Sequence, residues 1–341
     1  MKVLIVRLSS MGDVVQTLPA IEDASRAIPG ISFDWVVEEE FADIPHWHPR
    51  VERVISASLR RWKKEAASAL RGNEMGRPLK TIRAEKYDAV VDLQGEMKSA
   101  MLTRLARGRR IGYDSRSVHE WGAQAAYRRR IRVAKGQHSI TRMRNLMAMS
   151  LGYEPPATPV EYGVDRSLLP LVPIDLPERF LVFVHSTSWS SKNWHESSWR
   201  KLAELAFSSG FDVVLPWGSQ AERERSHRIA GSQGIVLPTL SIAQKAAIIT
   251  RAAAVVGLDT GLSHIAAAFG VPGVSLYGAT DPLLVGATGL NQVNIASDFE
   301  CRFCHEKKCF YPTEPKPVCF TLIEPHEVWS RVSRLPSTAG F

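Results

Sequence analysis

The sequence lacks two features of secreted and membrane-spanning proteins: cysteines spread along the chain and long apolar runs. Its four cysteines all fall within residues 301–319 of a 341-residue chain. They therefore do not form a disulfide framework for the whole fold. The most apolar stretch, 246–258, contains Arg251 and is shorter than the roughly 18 residues of a membrane span. The apolar run after Met1 is too short for a signal peptide, so we expect a cytoplasmic protein.

The sequence also lacks the common nucleotide and metal motifs. Neither the G-x-G-x-x-G fingerprint nor the G-x-x-x-x-G-K-[ST] loop is present, which weakens the dehydrogenase and ATPase interpretations. There is no D-x-D triplet to hold a metal on a diphosphate. We therefore expect no metal site and no required cofactor, with any diphosphate bound by lysine and helix amino termini. The C-x2-C-x4-C-x9-C cysteines suit zinc, but only one paired knuckle is present, and we give them no part in the mechanism.

Positive charge is concentrated in one part of the chain. The net charge is +8, and residues 104–144, here called the basic segment, contain 12 Lys and Arg against two acids. A field of this sign attracts nucleic acid, an anionic bilayer surface or an acidic small substrate. Charge alone does not choose among these three.

Apolar runs alternate with helical patterns in both halves of the chain, which predicts two α/β domains with parallel sheets. A proline-rich stretch, 155–177, separates the halves and is typical of a linker. We predict domains at 1–165 and 166–322, and a helix and tail at 323–341 that pack back across the interface. The predicted strands are Val3–Val6, Phe33–Val37, Ala89–Asp92, Phe180–His185, Asp212–Pro216, Ala253–Leu258 and Gly273–Tyr277.

Polar loops follow three of these strands, at the sheet edge where ligands bind in such folds. Asp13 lies in a turn that opens a helix, where it serves either chemistry or helix capping. Thr187, Ser188 and Lys192 follow the first strand of the second half and suit phosphate oxygens. Asp259 begins a strand-to-helix turn, Asp-Thr-Gly-Leu-Ser-His, that suits a diphosphate at a helix amino terminus.

Taken together, these motifs resemble the ADP-heptose glycosyltransferase family of lipopolysaccharide synthesis, and the resemblance extends over nearly the whole chain. It implies the GT-B fold, in which two Rossmann-like domains face each other across a cleft. The motifs that carry it are Leu8-Ser9-Ser10-Met11-Gly12-Asp13-Val14, Phe33–Glu39, Arg60–Lys64, Asp92–Gly95 with Lys98–Ala100, Lys192-Asn193-Trp194, Pro216-Trp217-Gly218 and Asp259–His264.

The resemblance implies an inverting transfer from ADP-L-glycero-D-manno-heptose. The opening motif is similar to that of the members that add the first heptose, so the implied acceptor is Kdo of Kdo-lipid A. Asp13 is then the catalytic base and Lys192 a catalytic cation on the leaving diphosphate. The implied donor contacts are Thr187, Ser188, Lys192, Glu222, Leu240, Asp259, Thr260, Gly261 and His264. The implied acceptor contacts are Arg60, Arg61, Lys64, Gln94, Lys98 and Arg144.

Two further expectations concern partners. His119 departs from the family pattern, where we expect arginine, so its acceptor role is doubtful. The lipid-anchored acceptor implies a peripheral enzyme on the cytoplasmic face of the inner membrane, held by the basic surface. Trp62 is either a further interfacial anchor or a buried core residue. Two alternatives stay open: a related core heptosyltransferase with another acceptor, and a basic nucleic-acid-binding protein. The basic segment has no interleaved aromatic pattern, so we expect no nucleic-acid partner.

Overall fold

A computed structural model describes residues 1–59, 61 and 76–336. The chain divides into two compact units, Met1–Leu168 and Leu169–Phe341, and the division falls inside the proline-rich stretch. Each unit contains a six-stranded parallel sheet. The predicted α/β class is therefore confirmed, whereas the roles assigned to the two domains stay predictions.

The first unit has the strand order β3-β2-β1-β4-β5-β6. Strand β1 lies in the middle of this sheet, and its residues Val3–Val6 are fully buried, as expected for a strand covered on both faces. The strands are β1 (Lys2–Val6), β2 (Ser32–Glu38), β3 (Val51–Ala57), β4 (Lys86–Asp92), β5 (Arg107–Tyr113) and β6 (Arg129–Ile131). The helices are α1 (Met11–Val15), α2 (Leu18–Ala27), α3 (Gly76–Ala84), α4 (Met97–Leu105) and α5 (Ser139–Leu151), with 3-10 turns at Glu39–Phe41, Pro45–Trp47, Ala123–Ala126 and Arg166–Leu168.

The second unit has the strand order β12-β11-β10-β7-β8-β9. The strands are β7 (Phe180–Val184), β8 (Asp212–Leu215), β9 (Ile235–Val236), β10 (Ala254–Leu258), β11 (Gly273–Tyr277) and β12 (Gln292–Ala296). The helices are α6 (Glu196–Ser208), α7 (Gln220–Ala230), α8 (Ile242–Ile249), α9 (Gly261–Ala268), α10 (Pro282–Val285) and α11 (Pro325–Val332), with 3-10 turns at Ser190–Lys192 and Val318–Leu322.

Each sheet has a point where the chain reverses its direction of strand addition. In the first unit this switch point lies between β1 and β4, and in the second between β7 and β10. Loops at the carboxyl ends of the strands diverge at such a point and leave a crevice for ligands. The functional residues of each unit are therefore sought there.

Aromatic side chains build the core of the second unit next to its switch point. Trp194 and Trp199 are fully buried, with ring centroids 5.2 Å apart in an edge-to-face arrangement. Phe183 of β7 packs on Trp199 at the same centroid distance. Because Trp194 follows directly on Lys192-Asn193, this core fixes the loop that carries the lysine.

Helix α11 packs against α6 and β11 of its own unit, with Val328 and Val332 buried in that core. The predicted passage of 323–341 across the interface stays a prediction. In the described ranges, no helix combines the length and apolar character needed to cross a membrane.

Candidate functional site

Asp13 lies in the turn between β1 and α1, as the sequence predicts. Its Oδ2 accepts hydrogen bonds from the backbone N of Ser10 at 2.9 Å and from Ser10 Oγ at 2.7 Å. The two residues form a capping box at the start of α1. Asp13 therefore has the structural role of a helix cap, yet its side chain is still 34% exposed and open to a ligand.

Arg7 forms an ion pair with Asp13 that the sequence interpretation missed. Its Nη2 lies 2.7 Å from Asp13 Oδ1, and its Nη1 donates to the carbonyl of Leu93 at 2.8 Å. Arg7 thus joins the loops that follow β1 and β4, the two strands at the switch point. A guanidinium at this distance pairs with the carboxylate of Asp13 and fixes its orientation.

The loop after β4 positions two of the predicted acceptor residues. Gln94 is buried, and its Oε1 accepts from the backbone N of Leu8 at 2.8 Å while its Nε2 donates to Glu96. Lys98 donates to Ser9 Oγ at 2.9 Å and pairs with Glu96 at 3.1 Å. Both residues therefore stand beside the Asp13 turn.

Asp92 at the end of β4 holds this loop in shape. Its Oδ1 accepts the backbone N–H groups of Gln94 and Gly95 at 2.9 Å, and its Oδ2 accepts from Tyr127 Oη at 2.8 Å. Complete burial raises the pKa of Asp92 despite these hydrogen bonds. The residue is a support for the loop, since its side chain is sealed from solvent.

The remaining predicted acceptor residues lie in different settings. Arg61 is exposed and donates to Glu39 at 3.3 Å, while Arg60 and Lys64 fall outside the described residues. Arg144 is buried, and its guanidinium donates to both oxygens of Asp23 at 2.5 and 3.0 Å and to the carbonyl oxygen of Thr158 at 3.1 Å. These contacts tie α2, α5 and the segment after α5 together.

His119 and Trp62 complete the predictions in this unit. His119 is exposed, and its Nδ1 lies 3.9 Å from Glu96 Oε1, beside the loop that carries Gln94 and Lys98. Trp62 falls outside the described residues. The role of His119 toward an acceptor stays a prediction.

In the second unit, the loop after β7 presents Lys192. Asn193 Oδ1 accepts from the backbone N of Thr187 at 3.0 Å, and the loop ends at the buried Trp194. The ammonium of Lys192 lies 4.3 Å from the ring centroid of Trp189. This contact is a cation–π interaction, so Trp189 helps to hold the lysine in place.

Asp259, at the end of β10, connects three side chains. Its Oδ2 accepts from Lys192 Nζ at 2.6 Å and from Thr280 Oγ1 at 2.7 Å, and its Oδ1 lies 3.6 Å from His264 Nε2. Burial alone would raise the pKa of Asp259, but His264 and Lys192 outweigh it and hold that pKa well below its usual range. These contacts bring the loops after β7 and β10 together.

Helix α9 begins directly behind this cluster, with Thr260 as its extended N-cap and Gly261 as its first residue. Its close approach to the sheet depends on Gly257, because a Cβ there would lie 2.2 Å from Ser263 Oγ. Ser263 Oγ in turn donates to the carbonyl of Leu258 at 2.7 Å. The helix amino terminus is thus fixed beside Lys192, an arrangement suited to an anion.

The other predicted donor residues lie on the neighbouring loops. Glu222 accepts from the backbone N of Gly218 at 2.6 Å near the start of α7. Leu240 is half-buried before α8, and Ser188 is exposed in the loop after β7. Thr187 Oγ1 accepts from the backbone N of Trp189 at 3.1 Å. Their contacts with a donor stay predictions.

His185, directly after β7, is a buried neutral base. Its Nε2 lies 2.7 Å from Ser226 Oγ and its Nδ1 2.7 Å from Ser186 Oγ. Burial, helped by the charge of Arg225, lowers the pKa of His185 to about 3. The imidazole therefore connects the β7 loop to α7 without carrying charge at neutral pH.

The four cysteines are free thiols, three half-buried and one, Cys319, buried. Burial raises the pKa of Cys319 to about 12. Within the described part of the chain, no group of three or more His, Cys, Asp or Glu side chains is arranged to hold a metal ion. Whether a metal is required stays a prediction.

Two residues of these sites were overlooked in the sequence. Arg7 directly follows β1, and Thr280 lies three residues beyond the end of β11. Both follow parallel strands at their carboxyl ends. The rule that identified Asp13 and Asp259 identifies them too when it is applied to every strand.

Comparison with known proteins places this arrangement in context. The profile of glycosyltransferase family 9 (heptosyltransferase) matches residues 75–313. Lipopolysaccharide heptosyltransferase 1 of Pseudomonas aeruginosa is 46% identical over 98% of this chain and 98% of its own length. The enzyme of that name from Escherichia coli K12 is 47% identical over 86% of this chain and 92% of its own length.

Solved structures give the same result. Escherichia coli heptosyltransferase WaaC with ADP is similar with a TM-score of 0.86 and 40% identity, covering 98% of this chain and 99% of that one. The same protein with ADP-2-deoxy-2-fluoro heptose gives a TM-score of 0.83 at 41% identity, with the same coverage. These likenesses confirm the predicted fold class.

Proposed function

The chain belongs to glycosyltransferase family 9, the heptosyltransferases, and from this premise we propose that it transfers L-glycero-D-manno-heptose from ADP-heptose to Kdo of Kdo-lipid A. It is a glycosyltransferase, and lipopolysaccharide core synthesis is the process in which its relatives are named.

The observation that carries the proposal is the Lys192–Asp259 pair in front of helix α9. Asp259 fixes the ammonium at 2.6 Å, and the amino terminus of α9 begins two residues later. A diphosphate leaving group gains negative charge as its bond to the sugar breaks. A fixed ammonium and oriented amides stabilise that charge without reorganising, which is preorganised electrostatic catalysis.

The donor assignment is supported by the bound molecules of a relative. WaaC, 41% identical, was solved with ADP-2-deoxy-2-fluoro heptose. We assign ADP-heptose to the second unit, with Lys192, Thr260, Gly261 and His264 near the diphosphate. Thr187, Ser188, Glu222 and Leu240 would complete the donor site from the neighbouring loops.

Asp13 is proposed as the general base. Its carboxylate is partly exposed and oriented by Arg7, so it is able to accept the proton of an attacking Kdo hydroxyl. The oxygen of that hydroxyl bonds to the anomeric carbon as the bond from that carbon to the diphosphate breaks. Configuration inverts in this single displacement, and ADP leaves.

The acceptor is proposed to lie along the first unit, with Lys98 and Arg61 facing its carboxylate. Lys98 stands beside the Asp13 turn through its contact with Ser9. Arg60 and Lys64 would add charge to the same surface. Because Kdo-lipid A is anchored in a bilayer, the enzyme is further proposed to work as a peripheral protein on the cytoplasmic face of the inner membrane.

The test is a transfer assay with purified protein, ADP-heptose and Kdo-lipid A, with mass spectrometry of the product. A mass gain of one heptose on the Kdo-lipid A acceptor supports both substrates. An acceptor that already carries one heptose is offered in parallel, and exclusive use of it would replace the proposal with a later core heptosyltransferase. Salt-sensitive DNA binding without any sugar transfer would reject the enzyme proposal.

A further inference from the structure

An exposed apolar patch on the first unit has no role in the site described above. Three large side chains form it: Trp121 is 81% exposed, Met101 67% and Met97 42%. Met97 and Met101 are four residues apart on α4 and so lie on the same face of that helix. Isolated exposed apolar residues are ordinary, but three that lie together mark an interaction surface.

The structure holds Trp121 in position instead of leaving it on a loose loop. Glu120 Oε2 accepts from the backbone N of Met97 at 2.8 Å, and the backbone N of Glu120 donates to Gly95 at 3.0 Å. Gly122 has φ 103°, and a Cβ there would lie 3.3 Å from Met97 Sδ. The segment that carries Trp121 is therefore pinned against the first turn of α4.

Three arginines stand beside this apolar patch. Arg104 lies three residues after Met101, on the same face of α4. Arg110 Nη1 donates to the carbonyl of Arg104 at 3.1 Å, and the backbone N of Arg128 donates to the carbonyl of Arg110 at 3.0 Å. Met97, Met101, Trp121, Arg104, Arg110 and Arg128 are called the Trp121 patch below.

The arginines of the Trp121 patch repel one another. Burial and the charges of Arg104 and Arg128 lower the pKa of Arg110. In the ranges that the structure describes, none of the three forms an ion pair with a carboxylate. A like-charge cluster of this kind is relieved when an anionic partner binds it.

We propose that the Trp121 patch is the surface by which the enzyme docks on an anionic phospholipid bilayer. Trp and Met enter the boundary between headgroups and acyl chains, while the arginines bind lipid phosphates. Exposed apolar side chains favour a bilayer over a nucleic acid as the partner, since duplex DNA offers them no apolar phase. This proposal rests on the proposed function, because a lipid-anchored acceptor makes docking useful.

The position of the patch relative to the Asp13 turn fits this purpose. Lys98, next to Met97 on α4, donates to Ser9 Oγ in the Asp13 turn. Met97 of the patch and Lys98, a residue assigned to the acceptor, therefore share the first turn of α4. An acceptor whose lipid end stays in the bilayer would reach that turn with its sugar end.

Vesicle binding by the full-length protein tests the proposal. Wild type is expected to sediment with phosphatidylethanolamine–phosphatidylglycerol vesicles at low salt and much less with phosphatidylcholine alone. Arg104→Gln/Arg110→Gln/Arg128→Gln should lower the partition coefficient by roughly 100-fold, from about 1 kcal/mol per arginine. Trp121→Ala/Met101→Ala should lower it at least about tenfold.

Matched controls come from the exposed surface of the second unit. Phe310→Ala is the apolar control and Arg200→Gln/Arg251→Gln/Arg331→Gln the charge control. Both should bind vesicles as wild type does. Thermal unfolding must be unchanged in the test variants, and turnover with a soluble, deacylated Kdo acceptor should also be unchanged. If wild type does not turn over the soluble acceptor at all, the proposed function is rejected, and vesicle binding is then judged separately.

Quenching by bromine-labelled lipids locates the anchor. Trp121→Phe should retain binding but remove most of the quenching of tryptophan fluorescence, whereas Trp62→Phe should leave it. Quenching lost only in Trp62→Phe would overturn the assignment of Trp121. The docking proposal itself is overturned if both patch variants bind vesicles as wild type does. It is also overturned if the arginine variant loses only duplex DNA binding.

Discussion

The two units have the same strand order and place their functional residues at the same switch point, yet they present opposite charges there. The first presents a carboxylate, Asp13, held by the more deeply buried Arg7. The second presents an ammonium, Lys192, held by the buried Asp259. Under the proposed function, a shared scaffold supplies a proton acceptor in one unit and a site for a diphosphate in the other through its different loops.

The two pairs also differ in exposure. Asp13 is 34% exposed and Arg7 11%, whereas Lys192 and Asp259 are 15% and 10% exposed. An exposed carboxylate is able to meet an acceptor hydroxyl from solvent. The shielded pair in the second unit instead indicates that Asp259 positions Lys192, since its Oδ2 already accepts from Lys192 and Thr280 and its Oδ1 faces His264.

The largest expected effect tests the acid of the first unit. Asp13→Ala should lower turnover by about 10²- to 10⁴-fold, because base catalysis is lost. ADP-heptose affinity, measured by calorimetry, should stay within a few-fold of wild type, and loss of the cap should cost about 1 kcal/mol of unfolding free energy.

Asp13→Asn is the matched control for that prediction. It keeps an oxygen that accepts from Ser10 but does not serve as a base. It should retain more of the stability and lose as much turnover. A folded Asp13→Ala protein with near-normal turnover would show that Asp13 is only a helix cap.

The next effect concerns the cation of the second unit. Lys192→Ala should lower turnover with ADP-heptose by about 10²- to 10³-fold, because the charge on the leaving group is no longer stabilised. The Michaelis constant for the acceptor should not change. Asp259→Asn should be milder, and the double variant should be no worse than Lys192→Ala alone if Asp259 acts through the lysine. Unchanged donor kinetics in Lys192→Ala would contradict the donor site.

Arg144 gives an effect on stability and not on catalysis. Arg144→Leu leaves Asp23 buried without its partner, so we expect a loss of about 3 kcal/mol in urea unfolding. Asp23→Leu/Arg144→Leu should recover much of that loss. With a soluble Kdo acceptor, the acceptor constant of folded Arg144→Leu should equal that of wild type. A raised Michaelis constant for the acceptor with unchanged stability would instead support the predicted acceptor role.

The sequence was sufficient to predict the central strands and much of the site. The strands β1, β7, β10 and β11 are continuous apolar runs, which a sheet covered on both faces demands. Asp13, Lys192 and Asp259 followed from the rule that ligands bind beyond the carboxyl ends of parallel strands. The structure brings Lys192 and Asp259 together from 67 residues apart.

Other features were not accessible to the same reasoning. Strand β5, with the sequence RGRRIGY, lies next to the sheet edge and is exposed along its first half, so its arginines hide its strand pattern. Arg144 was assigned to the acceptor from the family resemblance, and its ion pair with Asp23, 121 residues away, leaves no local signal; its acceptor role stays a prediction. Burial of a charge depends on tertiary packing, which a local pattern does not record.

A smaller effect concerns the pH dependence of stability that His185 gives to the second unit. The pKa of His185 is about 3 in the folded protein, below its unfolded value near 6.5. The unfolded chain therefore binds a proton that the folded chain excludes, and stability falls as the pH drops from about 6.5 toward 3. The expected slope is about 1.4 kcal/mol per pH unit in urea unfolding.

His185→Gln should remove that part of the pH dependence, since an amide retains hydrogen bonding to Ser226 without titrating. His227→Gln, an exposed position on α7 next to Ser226, should keep the wild-type dependence. Equal slopes in wild type and His185→Gln between pH 6.5 and 5 would contradict the assignment of a buried neutral imidazole.

The smallest effect concerns the exposed charge of the first unit. Arg61 donates to Glu39 at 3.3 Å and to Ser58 Oγ at 3.4 Å, and the hydrogen bond from Ser58, followed by the charge of Arg61, lowers the pKa of Glu39. Exposed pairs of this kind contribute at most about 1 kcal/mol, so Arg61→Ala should scarcely alter stability. Arg61→Ala should raise the Michaelis constant for a soluble, deacylated Kdo acceptor several-fold and leave the Michaelis constant for the donor unchanged.

Two further variants, Arg61→Lys and Arg83→Ala, show whether a raised acceptor constant comes from the lost guanidinium geometry or from any lost surface charge. Lysine keeps the charge but loses the planar fork that matches a carboxylate, so Arg61→Lys should fall between wild type and Arg61→Ala. Arg83, exposed on α3, tests whether any lost surface charge of this unit has the same effect. A normal acceptor constant in both Arg61→Ala and Arg60→Ala/Arg61→Ala would remove this surface from the acceptor site. The carboxylate of Kdo would then have to be bound by residues nearer Asp13, with Lys98 the first to test.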